Sequence, residues 1–199
     1  MELILIRHAL PERRETEDGT PADPPLASLG RAQADAMACW LAAEKIDALY
    51  TSPMRRARET AAPLERGLGL VAVLEPGVVE MDHTSVTYIP IDQLKREDYP
   101  RWQALIQGGE LWGGVDLPAF RATVVEALER VVASHRGGRV AVVCHGGVVN
   151  AWAGHVLGVE DPFFLDVAYT GVSRFLAAST GQRSVLSLNE ASHLRGQES

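Results

Sequence analysis

Cysteine is scarce in this chain of 199 residues. Its two thiols, Cys39 and Cys144, are too few for a disulfide framework and read as buried thiols of a reducing compartment. A net positive charge is also missing: 19 Lys and Arg stand against 26 Asp and Glu, for a formal net charge of -7. That balance leans against a nucleic-acid partner or an anionic membrane, both of which favour a basic face. It does not forbid a local cationic pocket. Long apolar runs are lacking as well. The opening run Leu3-Ile4-Leu5-Ile6 is too short for a signal-peptide core. No stretch approaches the roughly 20 apolar residues of a membrane helix. A cytoplasmic protein is expected. No internal repeat and no low-complexity block interrupts the chain.

What is present is the composition of a globular protein, 46% hydrophobic and 23% charged. A chain of this length buries most of its unfolded surface. One domain over residues 1–199 is expected, with a frayed polar tail at 195–199.

The pattern predicts strands alternating with helices. Leu3 to Ile6 suits a strand buried on both faces. Residues 11–25 read as a loop. A helix is expected over residues 28–45, capped by Ser28, with Leu29, Ala32, Ala36, Trp40 and Ala43 at helical spacing. A short strand at 48–50 precedes a second helix, with Ser52 as cap and Pro53 in its first turn, ending at Gly67–Gly69. Residues 70–74 are a third strand candidate. Residues 92–106 are helical in part, interrupted by Pro100, and Gly108, Gly109, Gly113 and Gly114 form a flexible junction. A long helix at 117–134 places Phe120, Val124, Ala127, Leu128 and Val131 on one face. Val140 to Cys144 is the clearest buried strand, and a helix follows it to Leu157. Two late strands lie near 174–178 and 184–188. This order predicts a three-layer α/β/α sandwich with a mostly parallel central sheet.

Three polar events close apolar strands. Arg7-His8 follows the first, Arg55, Arg56 and Arg58 lie just after the second, and His145-Gly146-Gly147 follows the strand at 140–144. If those strands are neighbours, all three segments meet at one sheet edge, where ligands of open α/β sheets bind. Two imidazoles and a guanidinium around one point suit phosphoryl transfer. The transferred group spreads charge over three equatorial oxygens that the protein must neutralise. Arginine matches phosphate oxygens with a fixed fork of donors. Backbone N–H groups at the Gly146-Gly147 helix start add more. A neutral imidazole is a competent nucleophile near neutral pH, attacking with one nitrogen while the other is held, as by a backbone carbonyl.

These segments carry a family resemblance. Leu5-Ile6-Arg7-His8-Ala9 resembles the strand and Arg-His-Gly signature of the histidine phosphatase superfamily, also called phosphoglycerate mutase-like. Pro25-Leu26-Ala27-Ser28-Leu29-Gly30-Arg31-Ala32-Gln33-Ala34 is similar to its Pro-Leu-Thr-x-x-Gly-x-x-Gln-Ala segment. Thr51 to Ala61 is similar to its Ser-Ser-Pro-Leu-x-Arg-Ala-x-x-Thr-Ala segment, and Val142 to Gly147 to its Val-x-His-Gly-Gly segment. The resemblance implies that His8 becomes phosphorylated, that Arg7, Arg56, His145 and Gly146 bind the phosphoryl oxygens, and that Glu80 is the general acid and later the base. Asp82 is the rival to Glu80. It implies hydrolysis of a small phosphate monoester, with phosphoglycerate mutase-type transfer as the alternative, and no metal or organic cofactor. One departure stands out: Ala9 replaces the family's Gly. If that Gly serves close packing, Ala costs little; if it needs positive φ, Ala is strained. A strained Ala9 would fit a third reading, a weakly catalytic phosphate-binding regulatory protein. His83, Thr84 and Tyr88 are candidates for the substrate entrance.

Blander readings compete. Two of Arg55, Arg56 and Arg58 are expected on a solvated helix face. Glu80 could be a surface carboxylate. His83, His135, His155 and His193 read as structural or exposed. Cys144 lies on the opposite pleat from His145 and reads as an inert core thiol. The four tryptophans, Trp40, Trp102, Trp112 and Trp152, read as packing residues.

Overall fold

The computed structural model describes residues 1–100, 102–103 and 115–195. The glycine junction expected at 108–114, Trp112, the end of the helical stretch expected to 106 and the tail beyond Arg195 lie outside the described residues.

The main sheet is built from β1 (Glu2–Arg7), β3 (Ala48–Thr51), β4 (Val73–Leu74), β6 (Arg139–Cys144), β7 (Val172–Ala177) and β8 (Arg183–Glu190). Its strand order is β4-β3-β6-β1-β7-β8. β4, β3, β6 and β1 pair in parallel, whereas β7 runs antiparallel to both β1 and β8. Alternate side chains of β1 enter opposite cores. Ile4 and Ile6 pack with Leu49, Ala141 and Val143 beneath α1 (Ser28–Leu41) and α2 (Arg55–Leu68). Leu3 and Leu5 pack with Val140, Val142, Cys144 and Trp152 beneath two further helices, which sit on the far side of the sheet. Burial on both faces is the physical reason β1 and β6 read as unbroken apolar runs. Each Leu, Ile or Val in them is worth ~1.5–3 kcal/mol when fully buried. The outcome is the expected sandwich of helices on both sides of a mostly parallel sheet.

The far-side helices are α4 (Leu117–Ser134) and α5 (Gly146–Leu157). α4 starts where its sequence asks, with the Asp116 carboxylate accepting from the Ala119 N–H at 2.9 Å. A short α3 spans Ile91–Glu97.

Several local expectations fail for tertiary reasons. α1 buries Gly30, Gln33, Ala34, Met37, Ala38 and Leu41, not the face through Leu29, Ala32, Ala36, Trp40 and Ala43. Both faces have helical spacing and abundant alanine, so apolar content alone did not choose between them. The loop after β1 chooses. Leu10 N–H donates to Gln33 Oε1 at 3.0 Å, and a Cβ on Gly30 would lie 2.0 Å from the Leu10 carbonyl oxygen. Ser28 is not the cap; Ala27 holds that position, and its N–H donates to Leu10 O at 3.0 Å. The helix stops at Leu41 rather than Lys45, and Glu44 turns to meet the Arg174 guanidinium at 2.5 and 2.8 Å.

α2 starts at Arg55, not beside Ser52. Its Arg55 N–H is capped from a distance by the Asp23 carboxylate at 2.9 and 3.0 Å. Gly69 closes the helix in the left-handed region, φ 66°. The strand expected at 70–74 shrinks to Val73–Leu74. The segment before it folds back on α2, with Ala72 N–H donating to Glu65 Oε1 at 2.7 Å. The loop at 11–25 contains β2 (Arg14–Glu15), which pairs with β5 (Thr87–Tyr88) as a small separate sheet. Cys39 is exposed, contrary to expectation, while Cys144 is buried.

Gly30 is therefore a close-approach position. Gly30→Ala forces α1 away from the loop that follows the first strand, and we expect a loss of ~1–3 kcal/mol in urea unfolding, the range for overpacking.

Candidate active site

The last two residues of β6, Val143 and Cys144, and His145 just after them organise the site. Val143 O accepts the Ser52 N–H at 2.9 Å, and Cys144 O accepts the His8 N–H at 2.9 Å. His145 then stands between the two segments just attached. Its ring centroid is 5.1 Å from that of His8, with the planes inclined at 61°. The expected meeting of the three strand ends follows directly from the order β3-β6-β1.

His8 is 3% exposed. Its Nδ1 lies 2.8 Å from Ala9 O. A carbonyl only accepts, so Nδ1 carries the proton and Nε2 presents a lone pair. Ala9 itself is unstrained. Among the described non-glycine residues, positive φ occurs at Thr170 and Asn189, not at Ala9. The Ala9 methyl packs with Leu26 and Ala34. Its N–H donates to Thr60 Oγ1 at 2.9 Å, and Thr60 Oγ1 donates to Arg56 O at 2.7 Å. The departure from the family's Gly thus falls on the close-packing side of the two alternatives.

Arg7 and Arg56 flank the histidines. The Arg7 guanidinium lies 3.9 Å over the Tyr169 ring, and its Nη1 donates to Val167 O. Arg56 is buried, while Arg55 and Arg58 are exposed. Its Nη2 donates to Asp82 Oδ1 at 2.7 Å, and its guanidinium sits 4.6 Å from the Tyr88 ring centre. Arg56 Nε and Nη1 are buried and have no hydrogen-bond partner among the described residues. Donors left bare in this way are costly unless an anion satisfies them. Tyr88 is thus drawn into the site from the entrance candidates, whereas His83 and Thr84 are exposed.

Burial, followed by the charges of Arg56 and Arg7, holds the His8 imidazole well below its usual pKa. Burial, Arg56, His8 and Arg7 do the same to His145. Both rings are neutral at neutral pH. Glu80 is 6% exposed. Burial, reinforced by the Asp82 charge, pushes its carboxyl up to about 7, against the pull of the Gly147 and Met81 N–H groups and Arg56. Those N–H groups donate to Glu80 Oε2 at 2.9 Å and Oε1 at 3.0 Å. The Gly147 amide, expected to face a phosphate, is therefore engaged by Glu80 instead. A Cβ on Gly147 would lie 2.3 Å from Glu80 Oε1. At Gly146 a Cβ would meet the Arg7 side chain only in ordinary contact, 3.6 Å from its Nε. Burial likewise pushes the Cys144 thiol far up, which keeps it protonated.

Chemically, this is a buried cationic recess with two neutral imidazoles, bare guanidinium donors and a carboxyl poised near neutrality. It gathers Arg7, His8, Arg56, Glu80 and His145. Sequence reading missed Tyr169, which lies outside every motif, and misassigned Ser52, which bonds His145 Nε2 at 2.8 Å. Gln33 and Thr60 were present in the matched segments, but only the packing reveals what they hold.

A sequence model of the histidine phosphatase superfamily (branch 1) matches residues 3–190. Phosphoserine phosphatase 1 of Hydrogenobacter thermophilus is 29% identical over 199 residues, covering 98% of this chain and 94% of that protein. Bacillus stearothermophilus YhfR superposes with a TM-score of 0.75 at 21% identity, covering 97% of this chain and 98% of the other. A phosphoserine phosphatase mutant from Entamoeba histolytica, in complex with phosphoserine, superposes with a TM-score of 0.72 at 19% identity, covering 97% and 98%. At those identities the two structures speak to the fold. The match across nearly the whole sequence speaks to descent: the chain belongs to the histidine phosphatase superfamily.

Proposed function

We propose that this chain hydrolyses small phosphate monoesters through a phosphohistidine on His8. The observation that carries the reading is the His8 ring, tied through Nδ1 to Ala9 O and lying 5.1 Å from His145 in a recess flanked by Arg7 and Arg56. His8 Nε2 attacks phosphorus, forming the N–P bond as the ester P–O bond breaks. Glu80 delivers its proton to the departing oxygen. Arg7, Arg56 and His145 hold the equatorial oxygens as charge builds on them. Glu80, now a carboxylate, takes a proton from water. The water oxygen attacks phosphorus, the N–P bond breaks, and phosphate leaves with His8 and Glu80 restored. Asp82 is the weaker candidate for the acid because its carboxylate is already paired with Arg56. Phosphoserine is the first substrate to assay, given the name of the Hydrogenobacter relative. A reducing cytoplasm suits the free thiols of Cys39 and Cys144. Among the described residues no helix is long and apolar enough to cross a membrane.

His8→Ala should abolish phosphate release, and rapid quenching of the wild-type enzyme with an aryl phosphate should trap an acid-labile phosphoenzyme. Full activity in the substituted enzyme sinks the mechanism. Transfer of phosphate to a sugar acid without net release makes the protein a mutase.

Glu80 holds its proton below about pH 7 and loses it above. Hydrolysis of alkyl phosphates, whose leaving groups need that proton, should therefore fall as pH rises through this value. Glu80→Gln should remove that limb and slow phosphoenzyme formation from alkyl esters about 10²–10⁴-fold, while phosphoenzyme formation from aryl esters suffers far less and its later hydrolysis slows for both. Asp82→Asn should show no such leaving-group dependence.

Gly147→Ala pushes a methyl into the Glu80 carboxyl. The same leaving-group signature is expected from it, with thermal melting as the control for folding.

A further inference from the structure

Ser52 has no part in the proposed phosphoryl transfer, yet it is fully buried beside His145. Its backbone N–H is fixed to Val143 O at 2.9 Å, one step beyond the paired residues Thr51 and Val143. The sheet itself therefore sets the distance from Ser52 to the His145 ring. Ser52 Oγ receives the Met54 N–H at 3.3 Å and meets His145 Nε2 at 2.8 Å. With one lone pair taken by an amide, the hydroxyl is free to direct its own proton at Nε2. A neutral imidazole that accepts at one nitrogen carries its proton on the other. His145 Nδ1 is buried and has no protein hydrogen-bond partner among the described residues. The opposite tautomer would leave a bare lone pair at Nδ1, and toward phosphoryl oxygens that lone pair is repulsive.

We propose that Ser52 is a positioning residue that fixes His145 in the Nδ1–H tautomer, so that the ring meets the phosphoryl group as a donor. The inference rests on the phosphatase reading of the same site. Ser52 acts through His145 and touches no reacting atom. Both rings being neutral is what makes the choice of tautomer matter, since an imidazolium would donate from either nitrogen.

The test is nitrogen NMR of the ¹⁵N-histidine-labelled full chain without ligand, in parallel with kinetics. In the wild-type protein, His145 should carry its proton on Nδ1. In Ser52→Ala, the ring should become a mixture of tautomers, kcat should fall on the order of 10-fold to 10²-fold, short of or at the low end of losing a transition-state donor outright, and competitive inhibition by inorganic phosphate should weaken. A purely structural serine would lower the melting temperature without moving the tautomer. Wild-type His145 protonated on Nε2 overturns the assignment, as does an unchanged tautomer in Ser52→Ala. Failure of the wild-type chain to hydrolyse any phosphate monoester overturns the phosphatase reading instead, and the NMR result then decides the Ser52 contact by itself.

Discussion

The site depends on a hydrogen-bond ladder that outruns its strands. β6 is flanked in parallel by β1 and β3, and pairing continues past the strand ends through the carbonyls of Val143 and Cys144. Ser52 and His8 come from segments separated by tens of residues, yet their backbones are locked to the last two residues of β6, directly before His145. Side-chain geometry then needs little further adjustment. A parallel sheet is well suited to this, because its strand ends all point the same way and its crossovers return outside the site.

Placing these groups in a dry recess changes their chemistry. Burial strips the proton from two imidazoles and returns one to a carboxyl, so His8 presents a lone pair and Glu80 holds an exchangeable proton in the same pH range. Buried arginine keeps its charge where histidine does not, which is why the recess stays cationic within a chain of net charge -7. Two glycines make the crowding possible. Gly30 and Gly147 both lie where a methyl would collide, with Leu10 and with Glu80. Neither has the positive φ that glycine is usually invoked for.

Much of this was legible in the sequence. Strands buried on both faces announce themselves as apolar runs, and both Leu3–Ile6 and Val140–Cys144 end in the histidines that matter. The layer order followed from alternation of strand and helix. What stayed hidden was set by contacts between distant residues. The rotation of α1 is decided by Leu10 seating on Gly30, which no periodicity encodes. Ser52 looked like a helix cap because Ser-Pro commonly starts helices, but Asp23 caps α2 and leaves the serine facing His145. Tyr169 carries no motif, and only the fold carries it to Arg7. Cys39 was read as buried from its residue type, a preference that an exposed turn of helix overrides.

β7 runs against its neighbour β1, with Val172 opposite Ile6. Reversal brings the beginning of β7, rather than its end, to the rim that carries His8 and His145. The connection descending from α5 must therefore arrive at that rim before the strand begins. Along the way it deposits a carbonyl for Arg7 at Val167, an aromatic plate at Tyr169 and, from Gly171, a carbonyl for the Arg7 amide. A strand of the opposite polarity would have routed that connection past the far end of the sheet. A single inverted strand thus furnishes one wall of the cationic recess from connecting chain.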